Sequence, residues 1–228
     1  MADVWYVEVD RVPESLAVLL DVRDLARRRR LVRAADQNRF LAAWVLARLV
    51  LGEKLGRDPA ALSFDRTCTH CGDERHGKPV AEAIGPGLEF SLSHTGGLAV
   101  FALSDQAVGV DIESATAGEK PLAQALTGRE RATCKSYADF ARLWTRKEAV
   151  LKAVGKGLAI HPRRIEVVGS TLLTLPRELG DPADYTLWDL PLPASYVGSL
   201  ALLGPEPSSL SARSGAGLVS NAVRVYYA

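Results

Sequence analysis

The sequence is poor in cysteine, lysine, net charge and long apolar runs, and each shortage excludes something. Three cysteines cannot build a disulfide framework, so a secreted, disulfide-stapled scaffold is out and a reducing cytoplasm is the expected setting. No apolar run approaches the roughly 20 residues that span a bilayer, and acids at Asp3, Glu8 and Asp10 stand where a secretory signal would be basic. No membrane partner is therefore expected. A formal charge of +1, from 28 basic and 27 acidic residues, leaves no bulk attraction for nucleic acid; any basic site must be local. The chain also lacks a P-loop, a dinucleotide fingerprint and a Gly-x-Ser-x-Gly elbow, which removes support for NTPase, oxidoreductase and hydrolase readings. Lysine is scarce among the cations, yet Lys78, Lys147, Lys152 and Lys156 all sit beside the motifs described below.

What is present reads as a folded chain. Of 228 residues, 47% are apolar and 24% charged, enough for one large or two small domains. Alternation over Val4–Val9 predicts a strand. Helical spacing follows from about Ser15 to Leu55, through Leu25, Leu31, Phe40, Leu41, Trp44, Val45, Arg48 and Leu49, with a break near Arg33–Asp36. Residues 51–87 read mostly as loop. Strands are predicted at 88–94, 98–103 and 107–112, and the short turns Thr95-Gly96-Gly97 and Ser104-Asp105-Gln106 suggest an antiparallel meander. A helical pattern runs from 122 to about 154 and stops at Gly155 and Gly157. Strand-like pieces follow at 165–168, 186–190 and 196–203, and the Pro/Ser/Gly-rich span Gly204–Gly217 reads as a flexible tail, with Val223–Tyr227 as a segment that could dock back. The expected fold class is α+β, in two similar halves: an N-terminal half of residues 1–105, a C-terminal half of 106–204 and a tail of 205–228.

Several residue patterns can carry chemistry. In Gly109-Val110-Asp111-Ile112-Glu113, strand geometry sends Val108, Val110 and Ile112 to one face and Asp111 and Glu113 to the other, about 6.6 Å apart. Paired carboxylates suit a hard cation such as Mg²⁺ bridged to phosphate, although a solvated strand end shows the same pattern. Trp144, Glu148 and Lys152 recur every four residues on one helix stripe. Glu148 and Lys152 alone are an ordinary surface pair worth about 0.3–0.5 kcal/mol. In a site, Glu148 suits a third metal ligand or a general base, and Lys152 a point charge on phosphate. Ser93-His94-Thr95-Gly96-Gly97 ends a strand with anion-binding potential but also resembles a plain turn. Arg27–Arg30, with Arg33 and Arg39, reads as a solvated helix face or as a clamp for phosphate or an acidic partner. Cys68-Thr69-His70-Cys71 with His76 is half a zinc knuckle without its second ligand pair, so zinc and a nucleic-acid module are disfavoured.

In their order, Gly77-Lys78-Pro79, Phe90-Ser-Leu-Ser93-His94, Gly109-Val-Asp111-Ile-Glu113 and Trp144-Thr-Arg-Lys147-Glu148-Ala-Val-Leu-Lys152 resemble the 4′-phosphopantetheinyl transferases of the surfactin-type branch. The resemblance covers about Arg27 to Gly157 and extends loosely to 198–203. It implies two halves related by a pseudo-twofold, each with a small, mainly antiparallel sheet packed on helices. It also implies transfer of the phosphopantetheine arm of coenzyme A to a serine of an apo acyl or peptidyl carrier protein, with release of adenosine 3′,5′-bisphosphate. By position, Asp111, Glu113 and Glu148 look like ligands of Mg²⁺ or Mn²⁺, with Glu148 also taking the serine proton. Lys152 looks like the cation on the attacked phosphate. Ser93 and His94 resemble the 3′-phosphate pair, and Lys78, Pro79, Arg39 and Arg28 resemble further coenzyme A contacts.

The partners implied are coenzyme A and acidic carriers of polyketide or nonribosomal peptide synthases. They would be met by basic and apolar residues near Cys134–Asp139 or Arg27–Arg33. A monomer is expected, because one chain holds both halves. The alternative is a non-catalytic paralogue that holds coenzyme A or a carrier; retention of three acids and Lys152 together argues against it.

Overall fold

The computed structural model describes residues 1–67, 72–73, 77–81, 87–116 and 123–227. The half zinc knuckle at Cys68, His70, Cys71 and His76 lies outside them. The fold is mixed α+β, built of small sheets and helices. The strands are β1 (Ala2–Glu8), β2 (Phe64–Asp65), β3 (Val80–Ala81), β4 (Glu89–Thr95), β5 (Leu98–Ser104), β6 (Ala107–Ser114), β7 (Glu166–Val168), β8 (Thr171–Thr174), β9 (Tyr185–Asp189), β10 (Tyr196–Leu203) and β11 (Leu210–Ser214). The α-helices are α1 (Val22–Arg29), α2 (Ala34–Leu55), α3 (Gly128–Thr133), α4 (Tyr137–Ala153) and α5 (Ala216–Tyr227). They gather into two compact units, one of Met1–Asp3, Glu89–Ser91 and Ala102–Leu210, the other of Val4–Leu88, Leu92–Phe101 and Ser211–Ala228.

In the second of these units α2 is the central element. Its residues from Phe40 to Gly52 are all buried, so it behaves as a core helix rather than a one-sided surface helix. Arg48 is fully enclosed there, and its two terminal nitrogens are paired: Nη2 donates to Asp21 and Asp24 at 2.9 Å each and Nη1 to the Leu62 carbonyl at 2.6 Å, while Nε has no hydrogen-bond partner. Arg66 donates to Asp24 at 2.8 Å and lies 3.7 Å from the Trp44 ring centroid. Burial pulls the Arg66 guanidinium down to about 10. The sheet of this region has the strand order β11-β1-β5-β4.

Two expectations change here. In place of a flexible tail over 205–228, Leu210–Ser214 form β11 and Ala216–Tyr227 form α5. Composition pointed at the turn around Gly204 and hid the alternation of Leu210–Ser214 and the helical spacing of Val219 and Ala222, both buried. The Gly215 N–H donates to the Tyr6 carbonyl at 2.8 Å, and the Tyr226 hydroxyl donates to Asp58 at 2.7 Å. Nor is there a three-stranded meander. β4 and β5 are neighbours, but β6 leaves them and pairs antiparallel with β10 over eight residues, giving the order β6-β10-β9. A turn signal locates a reversal; it does not decide which edge the next strand joins.

In the other unit, α4 packs across β6 and β10. Its start is fixed by a capping box, in which the Ser136 hydroxyl accepts from the Asp139 N–H at 3.1 Å and Asp139 Oδ2 accepts from the Ser136 N–H at 3.0 Å. It stops at Gly155, whose φ of 67° is the left-handed conformation glycine takes readily. The predicted single helix from 122 is in fact α3 and α4, separated at Cys134–Ser136. The missed strand β8 pairs with β7 as a hairpin whose register shifts between Glu166 and Val167.

Candidate active site

β6 sets the floor of the site. Its side chains alternate as expected, but the acidic face meets α4 rather than water. A Cβ added at Gly109 would lie 1.9 Å from the Ala149 carbonyl oxygen and 2.4 Å from the Ala153 nitrogen, so only glycine admits the α4 backbone this closely. Asp111, two residues on and on the same face, is consequently buried beneath the helix at 6% exposure.

The Glu148–Lys152 stripe descends on this floor. Lys152 Nζ donates to Asp111 Oδ1 at 2.6 Å and to the Val110 carbonyl at 3.1 Å. Glu148 is half-buried, and its Oε1 is enclosed without a hydrogen-bond partner. Burial pushes the Glu148 carboxyl up to about 7; Asp111 adds to the rise, Lys152 opposes it and Glu113 adds again. Glu113 is half-buried and raises the Tyr137 phenol too, second to burial. Trp144 stacks on Phe140 at 6.1 Å, giving the stripe an apolar upper end.

Asp111, Glu148 and Lys152 therefore come together, with Glu113 in electrostatic reach. Three carboxylates against one ammonium leave an excess of negative charge in a poorly solvated place. That excess and the orphaned Glu148 oxygen fit a hard divalent cation. Among the described residues, no three acidic, imidazole or thiol groups already close on one point as a preformed metal centre would. Lys152 holds Oδ1 of Asp111 instead.

The remaining sequence candidates lie in the other unit. Arg39 Nη1 donates to the Gly96 carbonyl at 3.2 Å, which joins it to the turn after Ser93 and His94, and its Nη2 pairs with Asp36. Ser93 is buried and His94 exposed. Lys78 and Pro79 are half-buried just before β3. Arg28 is bound on all sides: Nε donates to the Gln37 carbonyl at 3.0 Å and the fork grips Glu14, with Nη1 at 2.6 Å from Oε1.

Sequence reasoning passed over the supports of α4. Lys147 is fully buried and donates to Glu130 at 2.6 Å and to the Ala125 carbonyl at 2.8 Å. Glu130 also accepts from the Thr127 N–H at 2.7 Å and the Val167 N–H at 2.9 Å. Burial lowers the Lys147 ammonium while Glu130 raises it. The Thr127-x-x-Glu130 capping box was legible as a pattern; the partner of its carboxylate was not.

A clustered carboxylate set, a carboxyl that titrates near neutrality and an ammonium in contact with them suit proton removal beside a polyanion, the requirement of phosphoryl-type transfer. Comparison with known proteins supplies the family. The profile of the 4′-phosphopantetheinyl transferase superfamily matches residues 107–198, which include β6, α4, all of β9 and the first residues of β10. The chain is 32% identical to the 4′-phosphopantetheinyl transferase HetI of Nostoc sp. over 221 residues, covering 88% of this chain and 87% of the relative. It is 30% identical to a 4′-phosphopantetheinyl transferase of Bacillus subtilis over 144 residues, 58% of each chain. It is 31% identical to the 4′-phosphopantetheinyl transferase psf-1 of Bacillus pumilus over 156 residues, 62% of each. The chain belongs to the 4′-phosphopantetheinyl transferase superfamily.

Proposed function

We propose that this protein transfers the 4′-phosphopantetheine arm of coenzyme A to a serine hydroxyl of apo acyl or peptidyl carrier proteins, releasing adenosine 3′,5′-bisphosphate. The observation that carries this reading is the meeting of Glu148, Asp111 and Lys152 under α4, within a chain of this family. Serine is a poor nucleophile at neutral pH and gains from a nearby base. The half-buried Glu148 carboxylate, which burial raises to about 7 in the metal-free chain, stands where it can take that proton. Lys152 supplies positive charge for the phosphate under attack once coenzyme A draws it from Asp111. Asp111, Glu113 and Glu148 would hold a divalent cation, Mg²⁺ or Mn²⁺. When bound, that cation neutralises charge on the pyrophosphate.

In this reading residues 106–204 carry the catalytic and metal groups, and residues 1–105 carry the coenzyme A contacts. Ser93, His94, Arg39, Lys78 and Pro79 are the contacts; Arg28 joins them only by giving up Glu14. The segment 205–228 completes the N-terminal part. The two parts are proposed as pseudo-twofold relatives in a monomeric, cytoplasmic enzyme of polyketide or nonribosomal peptide assembly. A cleft of about 380 Å³ lined by Arg129, Arg142 and Arg146 together with Asp139, Leu143 and Val167 supports carrier docking near Cys134–Asp139.

The test is incubation with coenzyme A, Mg²⁺ and a panel of apo carriers, read by mass spectrometry. The expected result is one phosphopantetheine on the carrier serine and equimolar bisphosphate. Stoichiometric coenzyme A binding with every carrier left unmodified would replace this reading with a non-catalytic binder.

A further inference from the structure

Cross-strand register lines up three polar residues under α4. Ser199 on β10 stands opposite Asp111 on β6 and opposite Asp189 on β9. All three reach the same helix. Asp111 meets Lys152, the Ser199 hydroxyl meets the Thr145 hydroxyl at 3.0 Å, and Asp189 accepts two bonds from Arg146 at 2.6 and 3.0 Å. Ser199 also reaches Asp189 at 3.4 Å, which joins those two side chains directly.

Thr145 and Ser199 are buried at 0% and 1% exposure. Two enclosed hydroxyls gain little over a well-packed apolar pair, because the bond between them mainly repays their desolvation. What they add is direction. Apolar packing tolerates a helix sliding along a sheet, whereas a hydrogen bond weakens steeply once distance and angle drift. Thr145 lies three residues before Glu148, and Ser199 lies beside Asp111 in register, so the bond between them fixes the position of Glu148 relative to Asp111. Gly109 lets the helix approach, but a bare Cα cannot stop it sliding. Arg146 and Asp189 close the outer end of the row.

We infer that Thr145 and Ser199, backed by Asp189 and Arg146, are positioning residues that lock the axial register of α4 and so hold Glu148 and Lys152 over Asp111. The inference rests on the transferase reading above and adds to it a control on the rate of the chemical step.

Thr145→Val and Ser199→Ala remove the bond at nearly constant volume, and Thr145→Ser keeps it. In the carrier assay, kcat falls about tenfold in each of the first two, with KM for coenzyme A and carrier held within about twofold. Thr145→Ser stays within about twofold of wild type, and the double variant loses less than the product of the two single losses, as expected for a shared interaction. Values of kcat within about twofold of wild type in both deletions, or a loss that vanishes on normalising to the folded fraction by circular dichroism, would overturn the inference. A wild-type chain that modifies no carrier refutes the transferase reading instead. The positioning role is then read without turnover, by Mn²⁺ titration followed by electron paramagnetic resonance. Ser199→Ala weakens Mn²⁺ binding about fivefold, and equal affinity would again overturn it.

Discussion

Replacing Glu148 by Gln should stabilise the metal-free protein while removing its activity. In the folded chain the carboxyl titrates near 7 rather than at 4.5, so ionising it in place is unfavourable. The difference is about 2.5 units, or roughly 3 kcal/mol at full effect. Solvent screening of the half-buried group reduces that to about 2 kcal/mol. The sign follows from proton counting. Because the folded-state value is raised, the native state binds more protons than the unfolded state between about pH 4.5 and 7, and stability falls as pH rises through that window. The gain in Glu148→Gln is thus largest at about pH 8 and fades toward pH 4.5. Thermal unfolding followed by circular dichroism, with chelator present so that no metal ion offsets the repulsion, should show a Tm raised by about 4–8 °C at the alkaline end. Equal melting of the two proteins at pH 8 would refute the claim that Glu148 is held against Asp111 and Glu113 at a cost to the fold.

Gly109→Ala drives a Cβ into the α4 backbone at Ala149 and Ala153, which cannot swing away, so urea denaturation should show a loss of about 3 kcal/mol. Lys147→Met strands the buried Glu130 carboxylate, and the same assay should show a loss of about 3–5 kcal/mol, partly recovered when Glu130 becomes Met as well. Arg142→Glu changes an exposed residue of the arginine-lined cleft without touching the Glu148–Lys152 stripe. It should raise KM for carrier about tenfold and leave KM for coenzyme A unaltered in steady-state assays.

Most of the regular elements were legible because their patterns are local. The alternation of Phe90 and Leu92, the i, i+4 stripe through Trp144, Glu148 and Lys152, and the stop at Gly155 each follow from one stretch of chain. What escaped depends on distant partners. Asp111 and Glu113 looked like a solvated face because nothing around Gly109 announces that α4 will lie on it. Lys147 stood out only as a scarce lysine beside the motif; its burial against Glu130 depends on a partner in another helix. Ser199 and Thr145 carry no motif at all; only the register of β10 against β6 and β9 reveals them. The tail was misjudged because turn-forming residues near Gly204 dominated its composition, while Val219 and Ala222 held the helical signal.

The most direct test is single-turnover transfer to an apo carrier by wild-type protein and by Asp111→Ala, with circular dichroism on the same samples. The account predicts that wild type charges the carrier and that Asp111→Ala, folded to the same extent, forms no adduct. An Asp111→Ala protein that charges the carrier at the wild-type rate would contradict it.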